Sequence, residues 1–101
     1  MFTNHNARYM TRRIAETVHP EIVLFLWYLI DRLKDRGMEV DYLQVFELSE
    51  INGEQVIIHR QEKPPYKEQL MVQWDDTKPI TSTIWCIANS DGQMMLYPNE
   101  Y

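Results

Sequence analysis

The sequence predicts an α+β domain in which one long helix packs on a mostly antiparallel sheet of about five to six strands, two hairpins among them. Three observations carry this expectation. Apolar residues after Pro20 recur at helical spacing, and Asn52-Gly53 and Asp91-Gly92 each sit between β-rich runs. Hydrophobic residues make up 45 % of 101 positions, enough for a single core. No shift in composition separates two units, so residues 1-101 read as one domain, with 1-7 as a loose N-terminal arm.

From Arg8 to Ala15 the chain alternates, with Met10 and Ile14 on one side and Tyr9 and Thr11 on the other, which predicts a short strand. Pro20 ends any strand, because it lacks an amide hydrogen and keeps His19 out of the helical region. It suits the first position of a helix that runs to about Arg36. Glu21 lies at the positive end of that helix, Lys34 and Arg36 lie at the negative end, and Gly37 offers a stop. Ile22, Phe25, Leu26, Leu29 and Leu33 form the stripe expected to lie on the sheet. Val23, Leu24, Trp27, Tyr28 and Ile30 make a second apolar face.

Both Asx-Gly dipeptides fit type I′ turns, whose central residues need positive φ. A two-residue loop at Asn52-Gly53 pairs Ile51 with Glu54, Leu48 with Ile57, Phe46 with His59 and Gln44 with Gln61. The opposite face then pairs Val45 with Arg60 and Glu47 with Ile58, bringing Glu47 within reach of Arg60. The same arithmetic at Asp91-Gly92 places Ile87 opposite Leu96 and Ala88 opposite Met95. Between the hairpins, Lys63 to Tyr66 reads as a loop, Leu70 to Trp74 as a strand and Asp75 to Pro79 as a turn.

The composition excludes several classes of function. His5, His19, His59 and Cys86 are scattered, without the spacing of a zinc site, so no metal and no cofactor are expected. A single cysteine forms no internal bridge, and Cys86 within an apolar run reads as an inert core thiol. His59 is expected to be half-buried and hydrogen-bonded to a neighbour such as Gln44 or Gln61. An enzyme built on His59 with Glu47 or Glu62 is disfavoured, because the register puts those carboxylates on the other face. Asp75 and Asp76 read as turn residues, and three glycines cannot build a phosphate loop. The run from Ile22 to Ile30 falls far short of the about 20 residues of a membrane span, and the N-terminus lacks an apolar signal core. A cytoplasmic protein is expected.

Two functional readings follow. The second helix face, through Val23, Trp27, Tyr28 and Ile30, has no evident cover, unless the N-terminal segment or the Pro64-Pro65 loop folds over it. It therefore predicts a non-catalytic interaction module that meets a protein partner or a second copy of itself. The alternative is a nucleic-acid-binding or regulatory protein that touches phosphates through Arg8, Arg12 and Arg13, beside Tyr9. A formal net charge of −5 counts against that alternative.

Several segments carry a resemblance over nearly the whole chain: Arg8-Tyr9 with Thr11-Arg12, Phe25-Leu26-Trp27 with Leu29-Ile30-Asp31, Asp41 to Phe46, Ile57 to Glu62, and Met95-Leu96 with Glu100-Tyr101. Together they resemble an uncharacterised small family of Gram-positive bacteria and their mobile elements, domain of unknown function 960. The resemblance implies a compact cytoplasmic protein and lends no activity, cofactor or site residue.

Overall fold

The long helix forms where its capping chemistry allows. In a computed structural model, which describes Phe2 and residues 7–101, His19 Nδ1 accepts the Glu21 amide at 3.0 Å and Pro20 takes the first helical position. The helix runs Pro20–Asp35 and Arg36 closes it, as the sequence predicts. It is preceded by a strand β1 (Arg8–Met10) and a one-and-a-half-turn helix α1 (Arg12–Thr17), so the long helix is α2. After it come β2 (Leu43–Ile51), β3 (Glu54–Gln61), β4 (Tyr66–Val72), β5 (Ser82–Asn89), β6 (Gly92–Leu96) and a short 3-10 turn at Pro98–Glu100. The six strands form one sheet in the order β1-β6-β5-β2-β3-β4, antiparallel throughout except for the β1–β6 pair. The chain is thus an α+β protein with one long helix and two hairpins.

The strand expected over Arg8 to Ala15 ends at Met10. Thr11 Oγ1 accepts the Ile14 amide at 3.2 Å, capping α1 and turning Ile14 fully into the core, while Met10 stays exposed. Burial of Ile14 and Val18 at helical spacing outweighs the local alternation. Across the fold, Arg13 donates to Asn99 at 3.0 Å and Thr11 to Glu100 at 2.9 Å, so α1 rests on the C-terminal turn.

The first hairpin has the expected register, from Ile51–Glu54 through Leu48–Ile57 and Phe46–His59 to Val45–Arg60. Asn52 and Gly53 take φ of 52° and 81°, and Arg60 Nε reaches Glu47 at 3.3 Å. The second hairpin differs by two residues: Ile87 pairs with Met94 and Ala88 with Gln93. The cause is Asn89, whose Oδ1 accepts the amides of Asp91 (2.8 Å) and Gly92 (3.1 Å) and tightens the turn onto Ser90-Asp91. Because the shift is even, every side chain keeps its predicted face.

Gly92 therefore begins a strand, at φ +150°. A Cβ there would stand 2.9 Å from the Ala7 carbonyl oxygen and 3.1 Å from the Tyr9 ring. Gly92→Ala is expected to lower stability by about 1–3 kcal/mol, read from the urea midpoint.

The inner face of the sheet supplies Phe46, Leu48, Ile57, Ile84, Cys86 and Met95 to the core, against Ile22, Leu26, Leu29 and Ile30 of α2. Both sheet edges reach the helix: Arg8 on β1 forks onto Asp31, and Arg32 pairs with Glu68 on β4. The sheet thus curls around α2 as a half-barrel.

The expectation of an uncovered second helix face is overturned at three of its four residues. Val23, Trp27 and Ile30 are only 3 %, 7 % and 0 % exposed. The N-terminal segment provides the cover: Phe2, Ile14 and Val18 join the same cluster, and the Arg8 guanidinium lies 4.7 Å from the Trp27 ring centre. Tyr28 alone of the four stays open, at 53 %. Of the expected N-terminal arm, residues 1 and 3–6, His5 among them, lie outside the described residues, while Phe2 is buried.

Candidate interaction site

The surface left open on α2 is narrower than the sequence implies, and it lies next to the free edge of the sheet. Leu24 is 69 % exposed and stands between two apolar depressions. One, of about 210 Å³, is lined by Met10, Ala15, Val18, Pro20, Val23 and Leu24. The other is a shallow groove of about 400 Å³ lined by Glu21, Leu24, Phe25, Val72, Gln73 and Trp74, where the end of β4 passes the helix.

The walls of this second groove are fixed. Phe25 meets the Trp74 ring edge-on at 5.5 Å and Tyr28 at 5.7 Å. Trp74 donates its indole N–H to Gln55 Oε1 at 3.2 Å, and the same oxygen accepts the Ile80 amide at 2.9 Å. The Gln55 amide nitrogen in turn donates to the carbonyls of Ser49 and Ile80. At the helix N-terminus the Glu21 carboxylate accepts the amides of Asp75 (2.9 Å) and Asp76 (3.0 Å), and these donors hold its pKa below the ordinary carboxylate value. Asp75 and Asp76 are therefore turn residues docked on α2, consistent with their reading from sequence.

Beside the groove, β4 closes the sheet on one side and pairs only with β3. Its residues alternate: Lys67, Gln69 and Met71 are exposed on the outer face, and Tyr66, Glu68, Leu70 and Val72 are half-buried toward the helix. Among the described residues no backbone bond from outside β3 reaches this strand. The opposite edge, β1, is only three residues long.

The buried polar groups are committed to structure. His59 is 1 % exposed, stacks on Phe46 at 4.5 Å and faces Tyr66 edge-on at 5.5 Å. Its Nε2 lies 2.7 Å from Gln44 Oε1. Gln44 donates from Nε2 to Gln61 Oε1 and to the Asp41 carbonyl, and Gln61 donates to the carbonyls of Glu39 and Pro64. These acceptor ends fix the direction of the relay, so His59 donates through Nε2. Burial lowers the His59 pKa to about 4, opposed by the Glu68 charge and aided by that of Arg32. The carboxylate opposite His59 is Glu68, on a strand whose pairing the sequence left open. It is occupied, accepting the Tyr66 hydroxyl at 2.6 Å and pairing with Arg32. Cys86 is fully buried, and burial pushes its thiol pKa up.

The three arginines of the phosphate-binding reading are separated and partnered. Arg8 binds Asp31 and Gln93, Arg12 pairs with Glu16 at 3.0 Å, and Arg13 bonds Asn99 and lies over the Tyr97 ring at 4.8 Å. Among the described residues no group of three or more His, Cys, Asp or Glu could hold a metal ion. No helix among them is long and apolar enough to cross a membrane.

Sequence reasoning placed Leu24 and Tyr28 on the second apolar face of α2 and missed Val72 and Trp74 as the partners of Leu24 in one groove. The available signal was Leu24 itself, an aliphatic residue on the side of α2 that faces away from the stripe packed on the sheet.

Fold and site together define a small α+β protein with an open sheet edge and an apolar groove at its end. The chain belongs to the family described as staphylococcal protein of unknown function (DUF960), whose model matches residues 7–100. The crystal structure of a protein of unknown function from Enterococcus faecalis is similar with a TM-score of 0.85 at 20 % sequence identity, covering 99 % of this chain and 94 % of that one. At that identity the likeness shows the fold. No curated protein matches the chain significantly.

Proposed function

We propose that the chain is a non-catalytic cytoplasmic interaction module that docks an extended segment of a partner protein along β4. The observation that carries this reading is the meeting of a seven-residue open strand with the groove of Leu24, Phe25, Val72 and Trp74 at its end. Main-chain bonds along such an edge supply affinity, and a side-chain groove beside it supplies selectivity. An exposed Leu24 with Tyr28 one turn further along α2 is the kind of apolar surface that marks an interface. The internal commitments of His59, Glu68 and Cys86 support binding over catalysis, and the internal partners of Arg8, Arg12 and Arg13 favour a protein ligand over a nucleic acid.

Panning a random heptapeptide display library on the immobilised protein tests the reading. Enrichment of peptides with apolar residues at alternate positions is expected, and Leu24→Asp should abolish it while changing stability by no more than about 0.5 kcal/mol. Equal recovery on the two proteins would overturn the reading.

A further inference from the structure

We infer that the segment docked on β4 is β4 of a second copy, so that two half-barrels share one continuous sheet about a two-fold axis. The inference rests on the reading of β4 as a docking edge and specifies its occupant.

A two-fold axis perpendicular to the sheet keeps the helices of both copies on one side and pairs residues of equal parity across the dyad. An axis at Lys67 or at Glu68 sets that residue against its own copy, a like-charge contact that opposes pairing. An axis at Gln69 avoids both and is the centre of the strand. It pairs all of Tyr66–Val72, a contact about 23 Å long. Lys67 then faces the partner's Met71, Glu68 faces the partner's Leu70, and the two Gln69 amides meet, able to donate to and accept from each other.

The same axis explains why the groove sits where it does. Val72 at one end of β4 lies opposite the partner's Tyr66, the first residue of that strand. The groove beside Val72 thereby receives the proline-flanked start of the partner strand, and the symmetry repeats this contact at the other end. The interface combines a backbone ladder with two identical apolar seats, which one contiguous patch of a single chain provides. On the helix side the α2 ridge at Leu24 and the open edge lose water together, and on the outer face Met71 is covered by the partner's Lys67.

Gln69 is exposed, so charged replacements leave the monomer fold in place, which circular dichroism checks. Light scattering of the full chain, 12.2 kDa per copy, should give twice that mass at tens of micromolar. Gln69→Glu and Gln69→Lys each set like charges across the dyad and should weaken association roughly five-fold. An equimolar mixture of the two should recover it, since opposite charges then meet. A wild-type protein that is monomeric at every concentration overturns the inference, as does a mixture no tighter than either variant alone. If heptapeptides still bind that monomer in a Leu24-dependent way, only self-pairing has failed; if they do not, the docking edge has failed with it.

Discussion

Replacing Trp27 with alanine should remove about 3–5 kcal/mol of folding stability and leave the association of the folded protein unchanged. The side chain is 7 % exposed, packs with Val18, Val23 and Ile30, and carries the Arg8 guanidinium over its ring. Truncation leaves a cavity at the contact between the N-terminal segment and α2, and it removes a cation–π contact from an arginine that also grips Asp31. A domain of this size is stable by about 5–15 kcal/mol, so the loss is a large fraction of the whole. Urea unfolding followed by near-ultraviolet circular dichroism measures it. Leu24→Ala, three positions earlier on the same helix, should change the midpoint little. An unchanged midpoint with lost association in Trp27→Ala would return Trp27 to the surface and contradict the packing described above.

The second large effect concerns pH. His59 has a folded-state pKa of about 4, against 6.5 for the free side chain, because the charged ring would lie buried between Phe46, Tyr66 and Gln44. Glu68 favours the charged form and Arg32 opposes it, and desolvation outweighs both. Below pH 6.5 the unfolded chain binds a proton that the folded chain refuses until about pH 4. This contribution is therefore fully present above pH 6.5 and declines as pH falls toward 4, by about 3 kcal/mol in all. His59→Gln keeps a donor for Gln44 and has nothing to titrate. Its urea midpoint should fall less than the wild-type midpoint between pH 7.5 and 4.5, and the difference isolates the imidazole from the carboxylates common to both proteins. Parallel curves would show that His59 titrates freely in the folded state.

The elements legible in the sequence are those fixed by local chemistry. Pro20 and Gly37 bound α2, and Asn52-Gly53 set a register that holds from Ile51 to Val45. The hydrogen bond of His59 to Gln44 also followed from that register, which left the ring half-buried where the structure buries it fully. What escaped depends on contacts distant in sequence or on side chains competing for a turn. The Asn89 side chain moved the second hairpin by two residues, and nothing in the Asp91-Gly92 pair announces it. The cover over Trp27 comes from Ile14 and Val18, whose helix the alternation around Met10 concealed. The site was half legible, since the excess apolarity of α2 was real. Which residues stay open was decided by the curl of the sheet, and pairing patterns alone do not state strand order.

That curl has a consequence for biogenesis. Among the described residues Arg8–Met10 pairs in the sheet with Gln93–Met95 alone, so β1 cannot join the sheet until β6, more than eighty residues further on, has been made. Until then a nascent chain carries a greasy α2 without its full sheet. Such long-range closure slows folding and leaves sticky surface available to chaperones.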